Sequence, residues 1–551
     1  MRPTLIWINS DESCCAFGHF SGVAPMPLEV RGVIPKIVLL IGFVGVLYLS
    51  TIRTGEAWDD DFAMYVHEAK NIAVGIDYRN TGYIYEREYA ELGPKTYPPV
   101  FPLLLAGVYK GFGLNLTAMK VEVILLFLAG LFVVGLTFRD LLSPNQLVAL
   151  IALVGLSPYF WNYKENISPD LPFLLLAYLS MFLIHRNYEQ GASPTYWKAA
   201  LVGVVSWSAY GTRSVGICII AALWLRDAIR LRKLSRFSIV ATVTFVLGAA
   251  VEMRFVQTEA SYMDQFRGAP ALVSHAIDYV KSLSVLWDNG YSLPARVGVL
   301  ALFSLLAAVG FAARVRRKVE IFETFSVAYL GVILLWPAPQ DRLLIPLVPL
   351  YFFYVLIGLD AATRWATTSQ RKLVTALMAM MVLMCYAGKY SKLDYGSLAG
   401  IESAEARDLF NFVRTETGSQ DVFIFRRPRA LALFTERSSA AYYWTPADND
   451  LWKKFCEVHA THIITGALDD NSPPLGAPSG FFKIFAKKYS ADLQKVYWNR
   501  KFEVYRIART CDEAANTMRD KRQSSSRTFW AKLRKVARPR RLELLTPSSG
   551  G

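Results

Sequence analysis

The sequence predicts an all-α, polytopic membrane bundle of about eleven transmembrane helices, with a small soluble α/β domain at its C-terminus. The 551 residues are 53% hydrophobic and only 19% charged, with a mean hydropathy of +0.27. Uncharged apolar runs recur, and each has about the length that a helix needs to cross most of a ~30 Å hydrocarbon layer. A single run is compatible with a buried core helix, whereas a long series indicates a membrane protein. The clearest runs are 37–52, 124–138, 297–313, 343–359 and 373–388.

The basic residues predict the orientation of this bundle. The formal net charge is +15, but the basic side chains lie in short loops between apolar runs. This pattern is typical of membrane proteins and argues against a nucleic-acid partner. The densest basic loops are 226–236, 314–318 and 364–372. Because such loops stay in the cytoplasm, we expect a cytoplasmic N-terminus in the plasma (inner) membrane, with everything after residue 389 on the outer, periplasmic or extracellular face.

This orientation divides the chain into segments. We expect a cytoplasmic segment at 1–36, a transmembrane module at 37–390 with a first outer loop at 53–118, and an outer α/β domain at 391–511. A second large outer loop covers 256–295, and a basic tail covers 512–551. The predicted spans are 37–52, 119–138, 146–161, 170–185, 197–210, 213–227, 237–255, 296–313, 321–337, 342–361 and 372–388.

One apolar segment does not fit the series of spans. Residues 97–112 open with three prolines and carry Lys110. If this segment crossed the membrane, the following loops would be inverted. We therefore expect a helix that lies in, or dips into, the outer interface.

The C-terminal region has the pattern of a small α/β fold. Strand-like runs at 421–425, 462–465 and 502–507 alternate with helical stretches such as 404–417. The six cysteines of the chain form no recognisable metal or disulfide framework. Cys456 and Cys511 could nevertheless pair in this region.

An acidic triplet is the first candidate functional feature on the predicted outer face. Trp58-Asp59-Asp60-Asp61 follows the first span and leads into a helical stretch. Adjacent carboxylates repel each other, which raises the proton affinity of at least one when they are partly buried. Helix capping is the alternative, because Asp is a preferred N-cap residue and suits the positive end of the helix dipole. Capping accounts well for one Asp and poorly for three.

Two further charged positions lie within apolar sequence. Asp170 stands at the outer mouth of a span, with Glu165 nearby, and a solvated helix start is the alternative explanation. Arg213 is surrounded by about thirty otherwise apolar residues. A guanidinium at mid-membrane costs on the order of 2.5–3.5 kcal/mol on insertion scales, so it usually has an anionic partner. That partner is Asp170 or Glu252 on a structural interpretation, or a bound phosphate, which we favour.

Asp341-Arg342 is the last candidate, at the outer start of a span, where a snorkelling anchor is the alternative.

Outward-facing carboxylates and membrane-embedded arginines together suit one reaction class. A lipid-linked sugar phosphate lies at the interface, a carboxylate takes a proton from an acceptor hydroxyl, and arginines hold the phosphate leaving group. Glycine-rich nucleotide loops, HExxH and nucleophile-elbow motifs are absent from the sequence.

Over roughly residues 37–390 the sequence resembles the GT-C superfamily of membrane glycosyltransferases. The nearest branch contains aminoarabinose transferases, protein O-mannosyltransferases and Rgt-type enzymes. The order and spacing of several short motifs carry the resemblance. They are Asp60-Asp61 followed by Tyr65, Ala69-Lys70-Asn71-Ile72-Ala73-Val74-Gly75, Lys95-Thr96-Tyr97-Pro98-Pro99-Val100-Phe101-Pro102-Leu103, Ser168-Pro169-Asp170, Thr212-Arg213, and Arg342-Leu343-Leu344-Ile345-Pro346.

The resemblance implies sugar transfer from a polyprenyl-phosphate sugar to a lipid, glycan or protein acceptor outside the membrane, with inversion at the anomeric carbon. Asp61 matches the family's catalytic Asp, which lies four residues before a Tyr, and would act as general base. Asp60 is a rival within the same triplet. Asp170 matches an acidic position of the second outer loop. Arg213 matches a basic position and, with Arg342, would stabilise the departing phosphate.

The sequence departs from the family at the position before Pro-Pro. Family members place a Lys there to contact the carrier phosphate, whereas this chain has Tyr97 and its nearest lysine is Lys95. Lys95, Tyr97 and Glu165 complete the candidate substrate-binding set. Many family members need no metal, although the oligosaccharyl branch uses one. We expect no cofactor, and we favour a site without metal over one with a divalent metal, because the candidate carboxylates lack a DxD spacing outside the triplet.

Two other functions share part of this pattern. A transporter or flippase would also hold charged residues within its spans, but would normally show internal repeats, which we do not find. An O-antigen ligase or polymerase would share the lipid-phosphate chemistry. It would differ in its donor, a diphosphate-linked glycan in place of a monophosphate sugar.

Overall fold

The computed structural model describes residues 32–508, apart from 59, 88–92, 191–194, 256–270, 291, 338, 399, 442–447, 467 and 469–484. Most of the predicted cytoplasmic segment, the basic tail at 512–551 and Cys511 lie outside the described residues, as does part of the second outer loop.

The described chain is mostly helical. Its α-helices are α1 Val33–Ser50, α2 Asp61–Val74, α3 Val100–Phe112, α4 Leu116–Phe138, α5 Pro144–Gly155, α6 Pro158–Tyr163, α7 Asp170–Ile184, α8 Tyr196–Tyr210, α9 Ile217–Leu231, α10 Arg236–Glu252, α11 Leu272–Ser284, α12 Leu293–Arg317, α13 Ile321–Leu335, α14 Val348–Thr363, α15 Thr368–Tyr390, α16 Ala404–Glu416, α17 Pro428–Thr435 and α18 Asp448–Glu457. Short 3₁₀ segments at Ser214–Gly216, Val285–Trp287, Asp341–Leu347 and Gly400–Glu402, and a π-helical turn at His185–Glu189, complete the helical elements.

Every predicted span is largely helical, and the chain is a multi-pass membrane protein. Within the described residues, five helical stretches are long and apolar enough to cross a membrane. They are Val33–Ser50, Leu116–Phe138, Leu293–Arg317, Asp341–Thr363 and Thr368–Tyr390. The predicted total of about eleven spans therefore stays a prediction.

The boundaries of the helices differ from the predicted ones where prolines occur. The predicted span 146–161 is interrupted at Ser157, because Pro158 has no amide hydrogen to donate and disfavours helical backbone in the residue before it. The predicted span 342–361 opens with a 3₁₀ segment that contains Pro346. Tyr163 is the last residue of the short separate helix α6, and Arg342 lies in the 3₁₀ segment that precedes α14.

Close helix packing in the bundle depends on two small residues. Gly310 of α12 and Gly358 of α14 face each other, and a methyl group on either would overlap a backbone carbonyl of the opposite helix. Small residues allow helix backbones to approach closely in a membrane protein. The pair therefore anchors α12 against α14.

The segment predicted to lie at the interface is the helix α3. It begins directly after Pro98-Pro99 and has 13 residues, fewer than the roughly 20 that a transmembrane helix needs. The amide of Val100 donates to the carbonyl of Gly211 at 2.8 Å. This contact ties the start of α3 to the turn that carries Arg213.

The strands form one six-stranded mixed sheet. They are β1 Tyr83–Ile84, β2 Val422–Phe425, β3 Ser438–Ala441, β4 His462–Gly466, β5 Leu493–Trp498 and β6 Phe502–Ile507. The order across the sheet is β1-β3-β2-β4-β6-β5. The pairs among β1, β3, β2 and β4 are parallel, and β6 pairs antiparallel with both β4 and β5. The predicted strands at 421–425, 462–465 and 502–507 are confirmed.

The sheet is joined to the first outer loop. Its edge strand β1 comes from that loop, and Trp58 packs its ring against Phe410, Phe425 and Phe502 at centroid distances of 5.8–6.0 Å. The C-terminal region therefore shares its apolar core with residues 53–118. The predicted domain boundary at 391 stays a prediction.

Candidate active site

Asp61 is the centre of a charged cluster. It is the first residue of α2, and three side chains from distant parts of the chain contact its carboxylate. The hydroxyl of Tyr97 donates to Oδ1 at 2.6 Å, Arg342 Nη2 donates to Oδ2 at 2.9 Å, and Arg429 Nη1 donates to Oδ1 at 3.1 Å. The side chain of Asp61 is 18% exposed. It is thus held in one orientation but is still reached by solvent.

The surroundings of Asp61 keep it ionised. Burial raises the pKa of a carboxyl group, but the positive charges of Arg342 and Arg429 and the hydrogen bond from Tyr97 lower the pKa of Asp61 below its usual value. Two guanidinium groups already lie about 3 Å from the oxygens of this carboxylate, and they would repel a divalent metal bound to it. The residues around Asp61 therefore fit an ionised base better than a metal ligand.

Asp60 has a different environment. Its Oδ1 accepts the backbone amides of Arg429 and Ala430, each at 3.2 Å, at the N-terminus of α17. The residue is 3% exposed, and burial raises its pKa to about 6 despite the nearby guanidinium of Arg429. Asp60 is in the N-cap position of α2 but makes no side-chain capping bond there. Its carboxylate instead caps α17, a helix from a distant part of the chain. This placement argues against Asp60 as the base.

Tyr97 lies in the cluster, whereas Lys95 does not. The amide of Tyr97 donates to the buried carboxyl group of Glu68 at 2.8 Å, and its ring stacks on Tyr65 with a centroid distance of 4.3 Å. These contacts aim the hydroxyl at Asp61. Lys95 is half-buried and makes no ion pair among the described residues. Of the two candidates at this position, the structure brings only Tyr97 to the site.

Arg429 is the site residue that sequence reasoning missed. Its side chain is fully buried, and it bonds to the hydroxyl of Tyr97 at 2.9 Å and to the carbonyl of Pro94 at 2.9 Å. Its guanidinium also lies over the ring of Tyr83, 4.7 Å from the centroid. The available signal was the run Arg426-Arg427-Pro428-Arg429 directly after a predicted strand. Nothing in that run indicates Asp61 as the partner.

The buried Asp170 and the partly buried Arg213 form an ion pair with each other. Asp170 is the first residue of α7 and is 1% exposed, while Arg213 precedes the 3₁₀ segment Ser214–Gly216. Glu252, the other proposed partner, instead accepts the indole N–H of Trp207 at 3.1 Å. Of the partners considered for Arg213, the structure therefore shows Asp170.

Glu165 lies apart from this site. It is 2% exposed, and its carboxylate contacts Lys164, Lys120 at 3.2 Å and Arg53 at 3.6 Å. Lys120 also bonds to the backbone carbonyls of Arg53 and Gly55. Three cations thus surround Glu165 and brace the start of the first outer loop. These contacts favour a structural position for Glu165, and its expected contact with substrate stays a prediction.

A cavity of about 670 Å³ opens beside Asp61. Arg342, Asp341 and Gln340 line it from the start of the 3₁₀ segment Asp341–Leu347. The other lining residues are Tyr163, Asn166, Lys281, Ser282, Val285, Arg296 and Pro339. The cavity therefore combines two carboxylates, Asp61 and Asp341, with three basic side chains, Lys281, Arg296 and Arg342, so that cations are in excess, which favours an anionic substrate.

One other group of side chains has a spacing that suits a metal ion. Among the described residues these are His185, Glu189 and Glu320. However, Arg226 approaches Glu189 at 3.4 Å, and Arg314 bonds to Glu320 at 2.7 Å. Because these guanidinium groups already compensate the carboxylates, the arrangement fits an ion-pair network better than a metal centre.

Comparison with known proteins identifies the fold. No family model matches the sequence, and no curated protein matches it. The structure is similar to ArnT from Cupriavidus metallidurans in the apo state, with a TM-score of 0.55 and 12% identity over 87% of this chain and 99% of that chain. It is also similar to the mycobacterial arabinofuranosyltransferase AftD, with a TM-score of 0.54 and 12% identity over 87% of this chain and 40% of that chain. For the Archaeoglobus fulgidus oligosaccharyltransferase in complex with Zn and sulfate, the TM-score is 0.53 and the identity 11%, over 78% of this chain and 68% of that chain.

All three of these proteins are GT-C glycosyltransferases. The aligned regions include nearly the whole of ArnT, so the similarity extends over the membrane bundle and the region that follows it. The chain has the GT-C fold, which confirms the resemblance found in its sequence.

Proposed function

We propose that this protein is an inverting glycosyltransferase that moves a sugar from a polyprenyl-phosphate donor to an acceptor hydroxyl on the outer face of the membrane. The observation that carries the proposal is the state of Asp61. It is a carboxylate kept ionised at neutral pH, partly exposed, at the wall of a cavity that also holds cations. Such a carboxylate can accept the proton that an attacking hydroxyl must lose.

The proposed reaction is a single displacement. Asp61 takes the proton of the acceptor hydroxyl while the acceptor oxygen bonds to the anomeric carbon. The bond from that carbon to the phosphate oxygen breaks, and its electron pair leaves with the phosphate. The products are the glycosylated acceptor and the lipid phosphate. Because attack and departure occur on opposite faces of the sugar, the configuration inverts.

In this proposal Arg342 controls the basicity of Asp61. Paired with Asp61 at 2.9 Å, it stabilises the ionised carboxylate and so makes it a weaker base. When an acceptor hydroxyl displaces the guanidinium, Asp61 loses a positive charge that lowers its pKa. The pKa of Asp61 therefore rises at the moment when the base is needed. Arg342 thus acts on the base, while the departing phosphate lies on the opposite face of the sugar carbon. Arg213 stays with Asp170 and has a structural role.

The similar structures support the donor and acceptor classes. ArnT from Cupriavidus metallidurans has been solved bound to undecaprenyl phosphate, and the Archaeoglobus oligosaccharyltransferase has been solved tethered to an acceptor peptide. We propose a lipid-phosphate sugar as donor for this chain, and a lipid, glycan or protein as acceptor. No nucleotide sugar enters the reaction.

Two independent features support an outer location for the site. The three densest basic loops share one side of the predicted topology, and Asp61 lies on the other. Cys456 is disulfide-bonded, and disulfides persist in oxidising compartments outside the cytoplasm. We therefore propose a cytoplasmic N-terminus and a C-terminal region on the outer face of the plasma (inner) membrane.

The experiment is transfer by purified protein in detergent from a radiolabelled polyprenyl-phosphate sugar. Asp61→Asn keeps the shape of the side chain but removes the base, so turnover should fall by roughly 10²–10⁴-fold. Asp60→Asn, next to it in the chain, is the matched control and should retain turnover. Normal turnover in Asp61→Asn would exclude this mechanism.

The substrate that is consumed or moved distinguishes the two alternative functions from sugar transfer. An O-antigen ligase or polymerase would consume a diphosphate-linked glycan and leave the monophosphate sugar intact. A flippase would move labelled lipid across a proteoliposome membrane without releasing polyprenyl phosphate.

A further inference from the structure

Two cations line the cavity from elements that the proposed mechanism does not use. Lys281 comes from the last turn of α11, and Arg296 from the first turn of α12. The Nε of Arg296 donates to the hydroxyl and to the carbonyl of Ser284, both at 2.9 Å. Ser284 is the last residue of α11, so these bonds fix the guanidinium beside the helix that carries Lys281.

An apolar stripe on α11 leads to this pair. Val273, Ile277 and Val280 are 76%, 51% and 57% exposed, and their spacing of four and three residues places them on one side of the helix. The stripe ends one residue before Lys281. On the opposite side His275 and Tyr279 are buried. A helix with one apolar face and a basic end is suited to the membrane interface.

The charges around Asp61 indicate which ligand this pair would take. In an inverting displacement the base and the leaving group act on opposite faces of the sugar carbon. Arg342 is bonded to the base itself, and Arg213 to Asp170. Lys281 and Arg296 are the cavity-lining cations that are not bonded to Asp61. Lys281 pairs with Asp278 on its own helix, but both side chains of that pair are exposed, so solvent screens the pair and it is weak. A phosphate that lies away from the base can therefore compete for Lys281 and reach Arg296.

We propose that Lys281 and Arg296 form a subsite for the phosphate of a lipid, whose hydrocarbon chain lies along Val273, Ile277 and Val280. This subsite rests on the proposed function, because it supplies the position for the leaving group. When the bond to the sugar breaks, the phosphate gains charge and becomes a monoester of about −1.5 to −2 at neutral pH. The charge of the lysine and that of the Arg296 guanidinium, which Ser284 holds through Nε and Nη2, together suit such an anion.

The test is direct binding of a short-chain polyprenyl phosphate to the purified full-length protein in detergent. Lys281→Gln and Arg296→Gln should each weaken binding about tenfold, the equivalent of about 1.4 kcal/mol. Lys281 is 71% exposed and paired with Asp278 on its own helix, so its substitution should leave the thermal unfolding temperature unchanged. Lys453→Gln is the matched control, since Lys453 is 70% exposed and paired with Glu457 on its own helix. It should leave affinity unchanged.

Competing ligands identify the source of the phosphate. Inorganic phosphate and uncharged polyprenol should both compete weakly, and Ile277→Ser should weaken the lipid phosphate but not inorganic phosphate. Inorganic phosphate that competes as strongly as the lipid, with no effect of Ile277→Ser, would overturn the lipid assignment. Unchanged lipid affinity in folded Lys281→Gln and Arg296→Gln would overturn the subsite, while sugar transfer would still support the proposed function. Binding that depends on both cations, in a protein that transfers no sugar, would support the subsite and refute the proposed function.

Discussion

Replacing Asp60 by Asn tests the different roles that the structure assigns to two neighbouring carboxylates. Burial raises the pKa of Asp60 from 3.8 to about 6. Between these values the folded protein holds a proton at Asp60 that the unfolded chain has already lost. The free energy of unfolding therefore falls as the pH rises from about 4 to about 6. At about 1.4 kcal/mol for each pH unit between the two pKa values, the cost above pH 6 reaches about 3 kcal/mol.

Asn keeps an oxygen for the backbone amides of Arg429 and Ala430 but carries no charge. The difference in free energy of unfolding between Asp60→Asn and wild type should therefore shift by about 2 kcal/mol in favour of Asp60→Asn when the pH is raised from about 4.5 to about 7.5. The cost of facing an amide group towards Arg429 does not depend on pH, so it cancels in this comparison. Thermal unfolding in detergent at the two pH values measures the difference, and sugar transfer at neutral pH should continue.

Two results would refute this reasoning. A stability difference between the two proteins that stays constant with pH would show that Asp60 does not titrate in this range. Loss of transfer in folded Asp60→Asn, with transfer retained in Asp61→Asn, would make Asp60 the base.

Three further predictions follow from the ion pairs and the topology. Arg429→Met leaves Asp61 with one cation fewer, so the protein should lose about 3–5 kcal/mol of stability. The acid limb of its pH–rate profile should also move to higher pH, because Arg429 lowers the pKa of Asp61; an unmoved limb would contradict this coupling. Arg213→Gln should reduce the folded yield by leaving Asp170 unpaired, and the double variant with Asp170→Asn should restore yield and transfer. A folded double variant without transfer would instead indicate phosphate binding by Arg213. Alkaline phosphatase fused at the C-terminus should be active and green fluorescent protein dark, and the reverse pair of results would invert the topology.

The helices and strands were largely predictable because their signals are local. An apolar run long enough to cross a bilayer predicts a helix whatever its neighbours are, and all the predicted spans are largely helical. The strand at Phe502–Ile507 was likewise visible in its own residues. Proline shifted the ends of two spans, since it disrupts the backbone hydrogen bonds of the turn in which it lies.

The composition of the site depends on contacts that no local pattern records. Asp61 meets Arg429 from 368 positions further along the chain, and a buried arginine there looks no different in sequence from a surface one. Glu165 stands close to Asp170 in the chain, yet three cations hold it in a separate cluster.

Asp60 and Asp61 show the limit of the sequence most directly. They are adjacent, and their chemistry is identical. Helical backbone turns neighbouring side chains by about 100° relative to each other, so the two carboxylates point to different surroundings. Asp60 meets the amides at the start of α17, while Asp61 meets the cavity. The packing of α17 on α2 therefore decides which of them is a cap and which is available for chemistry.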